Sequence, residues 1–431
     1  MNEAHFSPFY SSTGICTDTR AIQKNCLFIC IKGENFDGNT FASKALKQGA
    51  KHVIIDNASY FDGSDRMTLV EDSVKYLQAL ANHHRNKFSI PVIGITGSNG
   101  KTTTKELINA VLSKKYNVLA TIGNLNNHLG VPFTLLRMTD EHDIAIIEMG
   151  ANRFKDIEEL CEIAEPTHGI ITNIGKAHLE GFLNFDGVLK TKKELYDSIE
   201  KNNGSIVINE DDQVLMGIAP ADTPLVTYGA EHSVSIVRGE LVRLSPYVIM
   251  KWATDQYESK EITTRMVGEY NFYNYLAAIT FGVEFNIESS EISEAIEQYT
   301  PTNNRSQVKD TENNTLILDC YNANPSSTNS ALRSFAMNDH SNKLFILGDM
   351  RELGGESGLE HQKIIDLVES LGLEGYVVGD EYGKLESPAL LKKFADASAL
   401  VNDLRENPLK DQLILLKGSR GIGLEVAEAV L

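Results

Sequence analysis

Short apolar runs bounded by glycine, each followed by a stretch with helical spacing, recur along the chain and fall into three groups. In the first, CLFICIKG (26–33) and KHVIID (51–56) read as strands, with TFASKALKQGA (40–50) as a helix between them. SVKYLQALANHHRNKF (73–88) is helical and runs into Ile90-Pro91, a natural boundary. The second group opens with PVIGITGSNGKTTTKELINAVLSKKY (91–116): a buried strand, a glycine loop and a helix in direct succession. Further strands at DIAIIEMG (143–150) and HGIITNIG (168–175) alternate with helices, the pattern of a doubly wound parallel sheet. From about 205 to 265, the alternation in SIVIN, SVSIVRG and YVIMKWAT predicts antiparallel strands at the flank of that sheet. NFYNYLAAITFGVEF (271–285) returns to helix. A third group begins near Pro301, where TLILDC, KLFILGD, GYVVGD and QLILLKG are separated by helical stretches. The expected fold is therefore α/β in three domains, at 1–88, 89–300 and 301–431. These are a small N-terminal α/β domain, a central P-loop sheet with an antiparallel flank, and a C-terminal Rossmann-like domain.

Composition narrows the picture. A chain of 431 residues exceeds one compact core, and 42% hydrophobic with 23% charged residues is ordinary for a globular protein. No apolar run is long enough to span a bilayer, so no membrane insertion is expected. MNEAHFSPFYSS lacks the basic and apolar regions of an export signal. Five cysteines at irregular spacing, with no CxxC pair, read as reduced thiols, and the expected location is the cytoplasm. Forty Lys and Arg against 59 Asp and Glu give a net charge of −19, poor equipment for a nucleic-acid backbone. Small anionic substrates remain open, because a pocket can be locally positive on an acidic protein.

The sharpest local signal is Gly97-Ser98-Asn99-Gly100-Lys101-Thr102-Thr103 between strand and helix. Glycines let backbone N–H groups turn towards an anion, and the helix N-terminus adds its positive dipole end. Lys101 would reach the β- and γ-phosphates of ATP, and the Thr102 hydroxyl would hold Mg²⁺. The general form wants a glycine where Ile95 stands, and no guanine-reading NKxD follows. Both features turn away from GTPases and ordinary kinases. Glu148, at the end of a strand, reads equally as a cation ligand or as a cap or salt-bridge partner. By sequence alone His178 is a lone histidine, Lys192 a solvated helix charge, and Asn271 and Asn274 surface amides on one helix face. Gly418, Gly421 and Gly423 lack the order of a dinucleotide fingerprint.

ITGSNGKTTTK resembles the ATP loop of the Mur ligases, a family that includes folylpolyglutamate synthase. The resemblance continues in order through GNLNNHLGVPFTLL (123–136), EMGA (148–151), TNIGKAHLEGF (172–182) and GEYNFYNYLAA (268–278). DCYNANPSS (319–327), LGDMRELGGES (347–357) and LKGSRGIGLE (416–425) complete it. YNANP and LGDMxELG are the wording of the member that adds D-alanyl-D-alanine to UDP-N-acetylmuramoyl-tripeptide. The resemblance thus implies an ADP-forming ligase that makes an amide bond through an acyl phosphate, for peptidoglycan synthesis. MurE and folylpolyglutamate synthase are the alternatives, and the absence of DNPxR argues against MurE.

Residue by residue, the resemblance gives Lys101, Glu148, His178 and Lys192 catalytic places. Glu148, His178, Thr102 and a carbamate formed on Lys192 would hold two Mg²⁺ ions, with Glu194 the substitute ligand should Lys192 stay unmodified. Asn271 and Asn274 fall on the adenine side. Arg305 and Asp319 would reach ATP when the domains close. Thr19, Arg20, Asp37, Gly38 and Asn39 match residues that hold the UDP-muramoyl end, although relatives often carry Ser and His in place of Thr19 and Asn39. Asn126, Asn127, Asn322 and Asn324 are expected at the peptide substrates, with Lys417, Ser419 and Arg420 in a C-terminal loop nearby. A monomer acting on small molecules is expected.

Overall fold

The computed structural model describes residues 3–175, 179–182, 184–230, 234–386 and 391–431, and they form three sheets. The first has four parallel strands in the order Ile15–Cys16, Leu27–Ile29, His52–Ile55, Met67–Leu69. Alternation sorts its side chains. Phe28, Cys30, Val53 and Ile55 pack with Ala42 and Ala45 of the helix Ala42–Gln48. Leu27, Ile29 and Ile54 face Tyr76, Leu77 and Leu80 of the helix Ser73–Arg85. Asp72 caps that helix by accepting from the backbone N–H of Val74 and Lys75. The helix also joins the second domain: Asn82 Nδ2 donates to the Glu162 and Ile163 carbonyls, and Arg85 Nε to that of Ala164. One continuous core therefore runs from the first sheet into the second.

The second sheet has nine strands. Seven are mutually parallel: Val118–Ala120, Ile144–Glu148, Val92–Thr96, His168–Ile171, Ser205–Asn209, Leu225–Gly229 and Val237–Arg243. At the edge Ile249–Ala253 is reversed, pairing antiparallel with Val237–Arg243 on one side and with Ile262–Thr263 on the other. The antiparallel flank is thus smaller than the sequence suggests. SIVIN pairs parallel on both sides, and Leu225–Gly229, which has no counterpart among the expected strands, lies beside it. The reason is burial. Ile206, Val207 and Ile208 are fully buried, as expected of a strand covered on both faces, whereas true alternation begins only in the last strands. Helices Lys101–Leu112 and Tyr270–Glu284 cover one face, and Asp156–Ala164 and Phe185–Lys201 cover the other.

The third sheet runs Gln307–Asp310, Thr315–Asp319, Leu413–Lys417, Lys343–Gly348, Gly375–Val378, Leu391–Phe394, parallel except for its first strand. Helices Pro325–Ala336 and Ser357–Ser370 close one face and Ala397–Glu406 the other. The C-terminal ends of the strands ending at Thr96, Glu148 and Ile171 open towards those ending at Asp319 and Lys417, where α/β sheets bind ligands. Among the described residues no helix is long and apolar enough to cross a membrane.

Candidate active site

A cleft of about 960 Å³ separates the second and third domains, and most of the expected residues meet in it. Its floor is the loop 97–100. Gly97 has φ +144°, and a Cβ there would lie 2.0 Å from Thr172 Oγ1; Gly100 has φ +80°, and a Cβ there would lie 2.7 Å from Asn274 Oδ1. Both the backbone conformation and the close approach demand glycine. The loop is fixed from the side by residues that sequence reasoning does not single out. Ser98 N donates to Asn173 O (3.0 Å) and Asn99 N to Asn173 Oδ1 (3.0 Å), while Asn173 Nδ2 donates to Asn99 O (3.0 Å). The Ser98 hydroxyl donates to Gly175 O and accepts from Gly175 N. The signal available for them is TNIG, a polar residue directly after a buried strand.

The helix Lys101–Leu112 starts at this loop, with Thr102 and Thr103 buried. Lys101 Nζ folds back onto the loop, donating to the carbonyls of Gly97 (2.7 Å) and Ser98 (3.3 Å). Burial lowers its pKa; the negative charge of Glu148 opposes that shift and the positive charge of Arg305 adds to it.

Glu148 ends the strand Ile144–Glu148 and is only 1% exposed. Asn126 Nδ2 donates to its Oε1 at 2.8 Å, and its backbone N–H donates to Thr121 Oγ1 at 3.0 Å. Its Oε2 is buried without a hydrogen-bond partner among the described residues. An orphaned carboxylate oxygen is costly to bury, so neither the cap nor the salt-bridge reading explains it. Beside the phosphate loop, its chemistry fits a hard cation. Asn126, expected at the peptide, lines the cleft and donates to this carboxylate. Asn127 lines the cleft, and its Oδ1 accepts from Leu129 N and Gly130 N where the helix Gly130–Leu135 begins. His178 lies outside the described residues. Among those described, no three His, Cys, Asp or Glu side chains gather as a metal cluster.

Lys192 corrects the solvated-charge reading. It is 2% exposed, while Lys190 is exposed and Lys193 pairs with Asp197 on the outer face of the helix Phe185–Lys201. Burial pushes its pKa well below the usual lysine value, and the charge on Lys101 pushes the same way. Its Nζ stands 5.9 Å from the Phe182 ring centroid. Glu194 is not free to replace it. Its carboxylate accepts from Lys155 N and Glu158 N, both 2.9 Å, at the start of the helix Asp156–Ala164.

Asn271 and Asn274 are buried rather than surface amides. Asn274 Oδ1 accepts from the Thr104 hydroxyl, its Nδ2 donates to Asn271 Oδ1, and Asn271 Nδ2 donates to Val267 O. The chain of bonds locks the helix Tyr270–Glu284 to the phosphate-loop helix, and both residues line the cleft.

The opposite wall belongs to the third domain. Arg305 lies in the connector between the domains, with its guanidinium 3.8 Å from the Tyr321 ring centroid. Asp319 accepts from Ser306 N (3.2 Å) and pairs with Lys417 (2.6 Å). Asn322 lines the cleft and its carbonyl accepts from Lys417 at 3.4 Å. Asn324 caps the helix Pro325–Ala336, and its Nδ2 donates to Asn99 Oδ1 at 2.7 Å, joining the two domains. Ser419 does not line the cleft: its hydroxyl accepts from Arg351 N and donates to Ala323 O, tying loops of the third domain together.

The residues expected at the UDP-muramoyl end are not brought into this cleft, where Glu34 is the contribution of the first domain among the described residues. Thr19 is half-buried, and the exposed Arg20 is held by Asp18 at 2.6 Å. Asp37 caps the short 3-10 helix Gly38–Phe41. Asn39 is pinned within the first domain. It is 1% exposed, its Nδ2 donates to Asp37 and Asp56, and its Oδ1 accepts from Asp56 N.

A phosphate loop facing a buried acid, with an arginine from the interdomain connector across the cleft, defines a nucleotide-using enzyme built for phosphoryl transfer. Three family models match the chain in order. These are Mur ligase family, catalytic domain at 11–88, Mur ligase middle domain at 95–282, and Mur ligase, glutamate ligase domain at 304–420. The chain belongs to the Mur ligase family.

Within it, the chain is 30% identical to the UDP-N-acetylmuramoyl-tripeptide--D-alanyl-D-alanine ligase of Bacillus subtilis, covering 97% of this chain and 93% of that protein. It is 33% identical to the ligase of the same name from Synechocystis, covering 95% and 90%. It superposes on MurF from Acinetobacter baumannii with TM-score 0.87 at 29% identity, covering 98% of this chain and 96% of that one. MurF from Thermotoga maritima in complex with ADP gives 0.87 at 25% identity, covering 100% and 98%.

Proposed function

We propose that this enzyme joins D-alanyl-D-alanine to UDP-N-acetylmuramoyl-tripeptide, using ATP and releasing ADP, to make the UDP-muramoyl-pentapeptide of peptidoglycan. Relatives of that name over nearly the full length support the substrates. The observation that carries the chemistry is the meeting of Lys101, the orphaned Glu148 oxygen and Arg305 in one interdomain cleft.

A carboxylate is a poor electrophile until one of its oxygens becomes a leaving group. Transfer of the γ-phosphoryl of ATP to the acceptor carboxylate supplies that, and the dipeptide amine then attacks the acyl phosphate and displaces phosphate. The protein contributes positioning and charge. Loop N–H groups and the helix start cradle the phosphates, and Lys101 turns from its loop carbonyls to the transferring group. Arg305 offers a planar fork of donors from the opposite wall. Asn271 and Asn274 hold the helix at the adenine side. Mg²⁺ would be held by Thr102, Glu148, His178 and a carbamate on Lys192, and would neutralise phosphate charge there. Asp319 reaches ATP with Arg305; Lys417, Asn322 and Asn324 face the incoming dipeptide, and the first domain takes the UDP-muramoyl end near Thr19, Arg20 and Asp37-Gly38. The enzyme acts as a monomer in the cytoplasm.

The test is ADP release with each substrate combination. ADP should form only when both the UDP-muramoyl tripeptide and D-alanyl-D-alanine are present. Equal release with a single amino acid, or with no acceptor, would sink this reading. Within the same assay, Arg305→Lys should lose about tenfold or more in kcat despite keeping the charge, because a point ammonium cannot reproduce bidentate phosphate contacts. Unchanged kinetics would remove Arg305 from the site.

A further inference from the structure

Arg305 is held in an unusual way for a cleft arginine. Its guanidinium makes no ion pair and no side-chain hydrogen bond among the described residues, and it stacks on the Tyr321 ring, 3.8 Å from ring centroid to Cζ. The backbone around it is pinned from both domains. Asn304 and Ser306, on either side, have φ of +54° and +50°. Ser306 N donates to Asp319 Oδ1 of the third domain, and the Ser306 hydroxyl bonds the Tyr270 hydroxyl of the second-domain helix at 2.8 Å. Two left-handed residues and two anchors fix where the side chain leaves the connector, but they do not fix where its far end points. The contact with the ring does that.

We infer that Tyr321 is a positioning residue whose ring face holds the Arg305 guanidinium towards the phosphate side of the cleft without occupying its N–H donors. A carboxylate in the same place would also hold the arginine, but it would neutralise the charge and take up the donor fork. An aromatic face attracts the cation through its quadrupole and leaves all five donors in the guanidinium plane for phosphate oxygens. Tyr321 itself lines the cleft, so the stacked pair is already at the surface where ATP is proposed to sit. Asp319, an acid lining the same cleft, is committed to Lys417 and to Ser306 N, which leaves the arginine unpaired. Arg420 lies 5.7 Å from the same ring centroid, so loss of the ring would release two like charges beside one another.

The inference rests on the proposed role of Arg305 in turnover, and the test separates the two. Steady-state kinetics of ADP release would be measured for Tyr321→Phe, Tyr321→Leu, Arg305→Ala and the double variant Tyr321→Leu/Arg305→Ala, with melting curves for each. Tyr321→Phe keeps the ring and should keep most of the rate. Tyr321→Leu should lower kcat by about tenfold, the scale of a partly desolvated cation–π contact, while the KM for the dipeptide changes little. In the Arg305→Ala background, Tyr321→Leu should cost nothing further. Additive losses in the double variant, with Arg305→Ala itself damaging, would overturn the positioning role alone. An inert Arg305→Ala would overturn both the positioning role and the place of Arg305 in turnover. A Tyr321→Phe variant as damaged as Tyr321→Leu would move the function from the ring to the hydroxyl and likewise contradict the inference.

Discussion

Lys101→Ala is expected to lower kcat by about 10²–10³-fold or more while leaving the fold intact, because it removes the cation facing the transferred phosphate. The two halves of this expectation come from one observation. The ammonium is half-buried in the cleft and bonded to the Gly97 and Ser98 carbonyls, and burial lowers its pKa. A half-buried ammonium satisfied by two loop carbonyls contributes little to folding, so its removal should shift the melting temperature slightly. ADP release and a melting curve on the same preparation check both. A variant with near-normal turnover would remove the loop from catalysis, and a variant that fails to fold would contradict the structural half.

Lys192→Ala and Lys192→Arg should both be nearly inactive, with losses on the order of 10²-fold. Arginine keeps the charge and length but cannot form a carbamate. The burial that depresses the Lys192 pKa favours the neutral amine, which is the form that captures carbon dioxide. A short carboxylic acid should restore part of the activity to Lys192→Ala. Carbon-13 NMR with labelled bicarbonate should reveal a carbamate in the wild-type enzyme and none in Lys192→Arg; a free ammonium at Lys192 in the active enzyme would contradict the assignment.

The same shift has a stability consequence in carbon-dioxide-free protein. Between the lowered folded pKa and the ordinary lysine value, the unfolded chain binds the proton and the folded one does not. Stability should therefore rise with pH across that window, and the penalty should be full below the folded pKa. Lys192→Met should flatten this slope in urea melts, and an identical slope would argue against a neutral Lys192.

What can be read in the sequence is local. The phosphate loop is legible because strand, glycines and helix are adjacent, and the buried strands because Val, Ile and Leu stand in unbroken runs. What cannot be read depends on distant partners. Lys192 sits among lysines on a polar-looking helix, and its burial is decided by the packing of that helix against the sheet. Glu194 is engaged by backbone N–H groups of a helix that starts 38 residues earlier, at Asp156. Asn39 is fixed by Asp56, 17 residues away, and Asn324 meets Asn99 across 225 residues. Side-chain amides carry no periodicity that would betray such partners. The parallel pairing of SIVIN escapes the sequence for a related reason: a short apolar run fits either strand direction, and only its neighbours decide which.

The proposed mechanism stands on one event, phosphorylation of the acceptor carboxylate inside the cleft formed by the second and third domains. The most direct measurement uses UDP-muramoyl tripeptide labelled with oxygen-18 in the reacting carboxylate, with mass analysis of the phosphate released during ligation. An acyl phosphate requires that one labelled oxygen leave with each phosphate, in step with one ADP and one amide bond. Phosphate released without label, at a normal rate of ligation, would contradict it.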